Sequence, residues 1–198
     1  MSNTETKKTT DKADSGRRVL LHISGSISCY KAAELASLLV RHAYEVQVTA
    51  SQGALRFIQP ATFEGLTHRP LLTDMFGGKP DAIPHITLAQ NWADVIIAYP
   101  ASADCINRLA AGLCDDLFGA VCLANNYAKP LLVAPAMNSS MVAHPSVQES
   151  IRKLASWGTV ILPTDEGRLA CGTVGKGKLI PPERVAGFIA QALGKNEL

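Results

Sequence analysis

Five short apolar runs, separated by stretches of helical length, constrain this chain more than any other feature. They cover residues 19–24 (VLLHIS), 45–50 (EVQVTA), 94–99 (DVIIAY), 130–134 (PLLVA) and 159–162 (TVIL). Near-continuous apolar strands are buried on both faces, and strands that alternate with helices form parallel sheets. The intervening segments carry helical periodicity: Leu35, Leu38 and Leu39; residues 102–111; and residues 147–157, with Val147, Ile151, Leu154 and Ala155 on one face. The last segment is the most regular, with Val185, Phe188, Ile189, Ala192 and Leu193 at i, i+3, i+4, i+7 and i+8. The pattern predicts one α/β domain whose parallel sheet is covered by helices on both faces. A chain of 198 residues is long enough for one such core and too short for two comfortable ones.

Ligands of parallel α/β sheets sit outside the carboxyl ends of the strands. The segments at those ends are Gly25-Ser26-Ile27, Ser51-Gln52-Gly53, Pro100-Ala101-Ser102-Ala103-Asp104 and Pro135-Ala136-Met137-Asn138. All are small, polar or sharply turning, and they are expected to share one rim. Gly25-Ser26-Ile27-Ser28 opens a helix, where backbone N–H groups and small side chains suit a phosphate. Taken alone it reads equally as an ordinary strand-to-helix turn, and it lacks the GxGxxG spacing of a dinucleotide site. Ser51 and Ser102 repeat the signal, and three such hydroxyls at one rim favour a mononucleotide phosphate.

The first 18 residues hold five Lys/Arg and three Asp/Glu without apolar period, and read as a disordered tail before a domain at 19–198. Beyond them basic and acidic residues balance at fourteen each, so no nucleic-acid partner is expected. No apolar run approaches the ~20 residues that span a bilayer, and no charged-then-apolar leader opens the sequence. The expected location is cytoplasmic, with no membrane contact. The five Cys form no CxxC pair and predict reduced thiols, not a disulfide frame or a zinc site.

Gly172-x4-Gly177-Lys178 has the spacing of a P-loop, but Leu179 stands where the magnesium-binding hydroxyl belongs and Ile180-Pro181-Pro182 follows where a helix should start. A flexible Gly-rich flap over about 165–182 is the better reading, and Cys171 at its root is the cysteine expected to carry chemistry. At most one or two of the five are expected to matter chemically, and the rest read as small core residues. Among the histidines, His22 reads as core, His42 and His68 as surface and His144 as a turn residue. His85, after Pro84 and before the third strand, is the catalytic candidate. No tight ligand pair suggests a metal.

Pro135-Ala136-Met137-Asn138-Ser139-Ser140-Met141 resembles the PAMNxxM signature of the homo-oligomeric flavin-containing cysteine decarboxylases. Gly25-Ser26-Ile27, Pro84-His85-Ile86, Trp92-Ala93-Asp94, Pro100-Ala101-Ser102-Ala103 and Leu169-Ala170-Cys171-Gly172 resemble further blocks of that family, in family order, across roughly residues 18 to 185. The resemblance implies a Rossmann-like (flavodoxin-like) three-layer sandwich. It also implies FMN as cofactor, held by Gly25, Ser26, Ile27, Ser51, Ser102, Ala103, Asp104 and Ala136. Substrate would lie against Asn138, Met141, Ala170 and Gly172, with His85 and Cys171 catalytic. The sites would be completed in a homotrimer or a dodecamer of four trimers.

The implied chemistry is oxidation of a cysteine thiol to a thioaldehyde, which supplies the electron sink for loss of carbon dioxide and leaves an enethiolate. A histidine exchanges protons near neutral pH, as this requires. In the coenzyme A branch the substrate is 4'-phosphopantothenoylcysteine, the enethiol is reduced and a flap cysteine donates a proton. In the peptide branch, which matures ribosomal peptides ending in cysteine, the enethiol is released. Cys171 favours the first. Departures from the family pattern point the other way: Asp104-Cys105 replaces the usual Asn-Thr, Val142 replaces an aromatic, and one extra residue lies between His85 and Trp92. A third reading is an FMN-binding regulatory subunit without turnover.

Overall fold

The computed structural model describes residues 17–76, 83–168, 170, 172 and 174–195. Five parallel strands form the central sheet: β1 (Arg18–Ile23), β2 (Glu45–Ala50), β3 (Val95–Ala101), β4 (Leu131–Pro135) and β5 (Val160–Ile161). Their spatial order is β2-β1-β3-β4-β5. The helices are α1 (Cys29–Arg41), α2 (Pro60–Thr67), α3 (Pro84–Ile86), α4 (Ala103–Ala111), α5 (Leu117–Asn125), α6 (Ser139–Ala143), α7 (Pro145–Ser156) and α8 (Pro182–Ala192). An antiparallel hairpin, β6 (Asp165–Arg168) with β7 (Val174–Lys178), stands apart from the sheet.

Alternate strand residues feed two cores. Val19, Leu21, Ile23, Val95, Ile97 and Tyr99 pack with α1 and α8 on one face. Leu20, Ile96, Ala98, Leu131 and Val133 pack with α4, α5 and Leu154 of α7 on the other. Both faces being dry is the physical reason the strands read as continuous apolar runs. The expected α/β three-layer sandwich, flavodoxin-like, is the fold observed.

The order β2-β1-β3 places the reversal of strand order between β1 and β3, where connections leave in opposite directions and open a crevice. β1 begins at Arg18, inside the stretch read as a tail, because its N–H is held by the Asp94 carboxylate at 3.0 Å. β3 runs to Ala101 through a cis Tyr99–Pro100 bond and a register shift between Ala98 and Ala101.

Three helices escaped the periodicity argument: α2, α5 and the five-residue α6. α5 is apolar on nearly all sides, with Leu117, Phe118, Gly119, Ala120 and Val121 buried, so it shows no polar face to reveal its period. Its start was marked only by Asp116, whose side chain caps Gly119 N–H at 2.7 Å. α2 is short and opens on Pro60 at its first turn. The helix entering β3 continues from α3 as a π-helical segment, Thr87–Trp92. A π turn takes up an extra residue without breaking the helix.

Candidate functional site

Ser24, at the end of β1, is the keystone of the crevice. Its buried hydroxyl donates to the Pro100 carbonyl at 2.8 Å and accepts the Ser102 N–H at 2.7 Å. That clasp locks the β1 and β3 exits together. The sequence reading missed it because a Ser inside an apolar strand shows no partner until β3 is placed beside β1. Gly25 and Gly53 lie in backbone contact across the rim: a Cβ on Gly25 would come 3.2 Å from the Gly53 carbonyl carbon. The β1 and β2 exits therefore approach as closely as two chains without side chains allow.

The hydroxyls around this point share one habit. Ser102 accepts Cys105 N–H at 3.2 Å as the N-cap of α4, Ser51 accepts Ala54 N–H at 3.2 Å, and Ser26 accepts Ser28 N–H at 3.2 Å. Each oxygen accepts a backbone N–H, which leaves each hydroxyl proton available to donate. The first-turn N–H groups of α4 add orphan donors and a positive helix end. Gly25, Ser51, Ser102 and Asp104 line one cavity of about 500 Å³. His22 and Phe118 form part of its wall, stacked at 3.9 Å and 3°. Burial pushes the His22 pKa down to about 3, so the ring is neutral, with Nδ1 3.0 Å from the Thr49 hydroxyl. Arg108 pairs with Asp115 and, at 3.4 Å, with Asp116, beside Asp104 on the same wall.

A second cavity, about 580 Å³, lies next to the first along the chain: consecutive residues Gly25 and Ser26 line one each. Ser26, Ile27, Ala136, Asn138 and Ala170 border it. Asn138 caps α6, its carboxamide oxygen accepting Ser140 N–H at 2.8 Å. The hairpin roofs this loop: Met137 N–H donates to the Gly177 carbonyl at 3.1 Å, and the Ser139 hydroxyl donates to the Lys176 carbonyl at 2.6 Å. Gly175 and Gly177 are needed there for close approach, since a Cβ on Gly175 would meet the Ser139 hydroxyl at 2.6 Å. The glycines read as a sign of flexibility thus have a docking role.

The rim gathers most of the predicted residues. Ala103 is buried in the first turn of α4, Met141 is exposed on α6, and Gly172 sits at φ +86° in the hairpin's connection. Cys171 lies outside the described residues. His85 lines neither rim cavity: α3 packs on α5, and the buried Nδ1 of His85 has no hydrogen-bond partner among the described residues. Cys29 and Cys105 are buried, and burial pushes Cys105 up to about 12 and Cys122 well above the ordinary thiol range. No group of His, Cys, Asp or Glu among the described residues is arranged to hold a metal.

Residues 7–194 match the family model described as Flavoprotein. The chain belongs to the flavoprotein family.

Its relatives include coenzyme A biosynthesis proteins and, among solved structures, proteins named as decarboxylases. The coenzyme A biosynthesis bifunctional protein CoaBC of Bacillus subtilis is 43% identical over 170 residues, 85% of this chain and 41% of that protein. The Mycobacterium tuberculosis CoaBC is 38% identical over 177 residues, covering 89% and 41%. The chain therefore spans about two-fifths of the length of these curated relatives. Among solved structures, a PPC decarboxylase cysteine-to-serine variant complexed with pantothenoylaminoethenethiol superposes with TM-score 0.80 and 31% identity, covering 88% of this chain and 96% of that one. The peptidyl-cysteine decarboxylase EpiD, as a histidine-to-asparagine variant with the substrate peptide DSYTC, gives TM-score 0.74 and 25% identity, covering 87% and 97%. Among the described residues of this flavoprotein no helix is long and apolar enough to cross a membrane.

Proposed function

We propose that this flavoprotein binds FMN along the β1/β3 crevice and decarboxylates a cysteine carboxylate, with 4'-phosphopantothenoylcysteine as the favoured substrate. One observation carries the reading: a hydroxyl-and-amide cradle and the Asn138 cavity meet at Gly25–Ser26, so a cofactor in the first can reach a substrate in the second. The cradle fits a mononucleotide phosphate. Ser26, Ser51 and Ser102 each use their oxygen to cap a turn, leaving the proton to donate. Glycines at 25 and 53 admit an anion close to backbone N–H groups. Structural relatives include one named as the FMN-binding protein AtHal3, at 31% identity and TM-score 0.78.

Held by Gly25, Ser26, Ser51 and Ser102, FMN would supply the hydride-accepting chemistry that converts a thiol-bearing carbon to the thioaldehyde level. Asn138 presents an uncharged amide to the substrate carboxylate; it orients the group without the tight ion pair that would oppose its loss as carbon dioxide. The hairpin, docked through Met137 and Ser139, covers this pocket and limits water around the resulting enethiolate. Cys171 is assigned as proton donor for the return step of the coenzyme A reading. His85 is assigned to proton handling at the substrate thiol. His85 lines neither cavity, which supports assembly as a homotrimer or dodecamer in which a second copy completes the site.

Purified protein should be yellow and release FMN on denaturation, and product mass spectrometry should show loss of carbon dioxide alone from 4'-phosphopantothenoylcysteine. Loss of carbon dioxide plus two hydrogens from a cysteine-ended peptide supports the peptide branch instead. A folded, colourless protein that does not take up FMN overturns the reading. His85→Asn should keep FMN and assembly while losing turnover.

A further inference from the structure

The cavity under the hairpin is electropositive. Lys31 of α1, Arg168 at the end of β6 and Lys178 at the end of β7 line it, and no acidic side chain does. The excess is local, since basic and acidic residues nearly balance over the whole chain. Arg168 and Lys178 have no ion-pair partner among the described residues. Their neighbours in the hairpin region do: Lys176 pairs with Glu166 at 3.8 Å, and Arg184 with Asp165 at 2.8 Å. Lys31 is held in place by donating to the Leu179 carbonyl at 3.0 Å, which leaves its other two N–H donors. Burial, and then the charge of Lys178, lower the Lys31 pKa, against the opposing pull of Glu34, Asp165 and Glu183. Lys31, Arg168 and Lys178 converge with no acidic side chain in the cavity lining, and an anion drawn into the cavity relieves their mutual repulsion.

We propose that Lys31, Arg168 and Lys178 receive a phosphate monoester carried at the end of the substrate remote from its cysteine carboxylate. This rests on the decarboxylase reading above and deepens it. Asn138 borders the same cavity, so one molecule can place a carboxylate at the neutral amide and a dianion among the cations. Arginine presents a planar fork that matches phosphate oxygens, and two lysines supply the remaining charge. An uncharged peptide backbone would bring no negative charge to these three cations.

The test compares the holoenzyme on 4'-phosphopantothenoylcysteine and on its dephosphorylated counterpart, pantothenoylcysteine. The wild type should favour the phosphorylated compound in kcat/KM by about 10-fold or more, through KM. Arg168→Gln, Lys178→Gln and Lys31→Gln should each reduce that preference several-fold, and the double variant Arg168→Gln/Lys178→Gln should abolish it. FMN affinity, read by flavin fluorescence, should match wild type in all of them. Equal kcat/KM for the two compounds overturns the proposal and leaves the decarboxylase reading standing. Variants that lose FMN affinity instead place the cofactor's own phosphate among these cations and also overturn it. Turnover of a cysteine-ended peptide with neither small compound used overturns it in favour of the peptide branch. If nothing loses carbon dioxide, the underlying reading falls and the proposal with it.

Discussion

Gly177 and Met137 form the seam between the hairpin and the loop after β4. Met137 N–H donates to the Gly177 carbonyl at 3.1 Å, while Gly177 holds φ +115°, where an added Cβ would collide with the Met137 carbonyl oxygen. The roof of the substrate cavity thus depends on one residue having no side chain.

Gly177→Ala should therefore lift the hairpin from Met137. The left-handed conformation costs about 1–2 kcal/mol for a side-chain residue, before the collision is counted. A drop in Tm of about 4–8 °C is expected, with turnover reduced more than FMN content. Gly65→Ala is the control: it lies inside α2 with open space around the added Cβ, and should be neutral or stabilising by up to about 1 kcal/mol. Thermal melts of the two variants that shift equally would contradict the role given to the seam.

Ser102 has two separable tasks, capping α4 and donating to the cofactor phosphate. Ser102→Ala removes both and should cost about 1 kcal/mol of stability as well as FMN affinity. Ser102→Asp keeps a cap acceptor but brings a negative charge and no donor, so the fold should survive while FMN binding falls by 10-fold or more. Titration of apoprotein with FMN, beside denaturant unfolding, separates the two. Undiminished FMN affinity in Ser102→Asp would remove Ser102 from the cradle.

Protonation of His22 links stability to pH. The ring is buried against Phe118 and stays neutral in the folded state to about pH 3, whereas the unfolded chain takes up the proton near 6.5. Its contribution is complete above about pH 6.5 and declines as pH falls toward 3, by up to ~1.4 kcal/mol per pH unit. His22→Gln should flatten that slope. Urea unfolding at pH 7, 5.5 and 4.5 is the measurement, and an identical slope in the variant would refute the assignment.

Cys171→Ser is expected to separate the half-reactions. A hydroxyl is a far weaker acid than a thiol, so reduction of the enethiol should stall while decarboxylation continues. Mass spectrometry should find a product two hydrogens lighter, and absorbance should show reduced flavin accumulating. Wild-type behaviour on every substrate would deny Cys171 a catalytic role and move the favoured substrate to a peptide.

Much of this architecture was legible in residue order. Burial of Val19 to Ile23 and Val95 to Ala101 on two faces forces continuous apolar runs, and the amphipathic period of α7 and α8 reports a single dry side; both are local signals that survive in one dimension. The small, polar strand exits, Gly25-Ser26, Ser51, Ser102 and Asn138, were likewise readable, because a parallel sheet puts every carboxyl end on one edge. α5 was hidden for the opposite reason, being apolar nearly all round, so that no polar face marks its period.

Tertiary structure alone decided what those exits became. The strand order β2-β1-β3 brings Ser24 under Pro100 and Ser102 across 76 and 78 residues of chain, and sets Gly25 against Gly53. It also lays a hairpin with no apolar period over Met137, turning glycines that read as loose chain into a fitted roof, and gathers Lys31, Arg168 and Lys178 from three elements around one cavity. Periodicity encodes which side of an element is dry. Which elements then meet is set by long-range packing and hydrogen bonding, whose partners lie too far apart in sequence to leave a local trace.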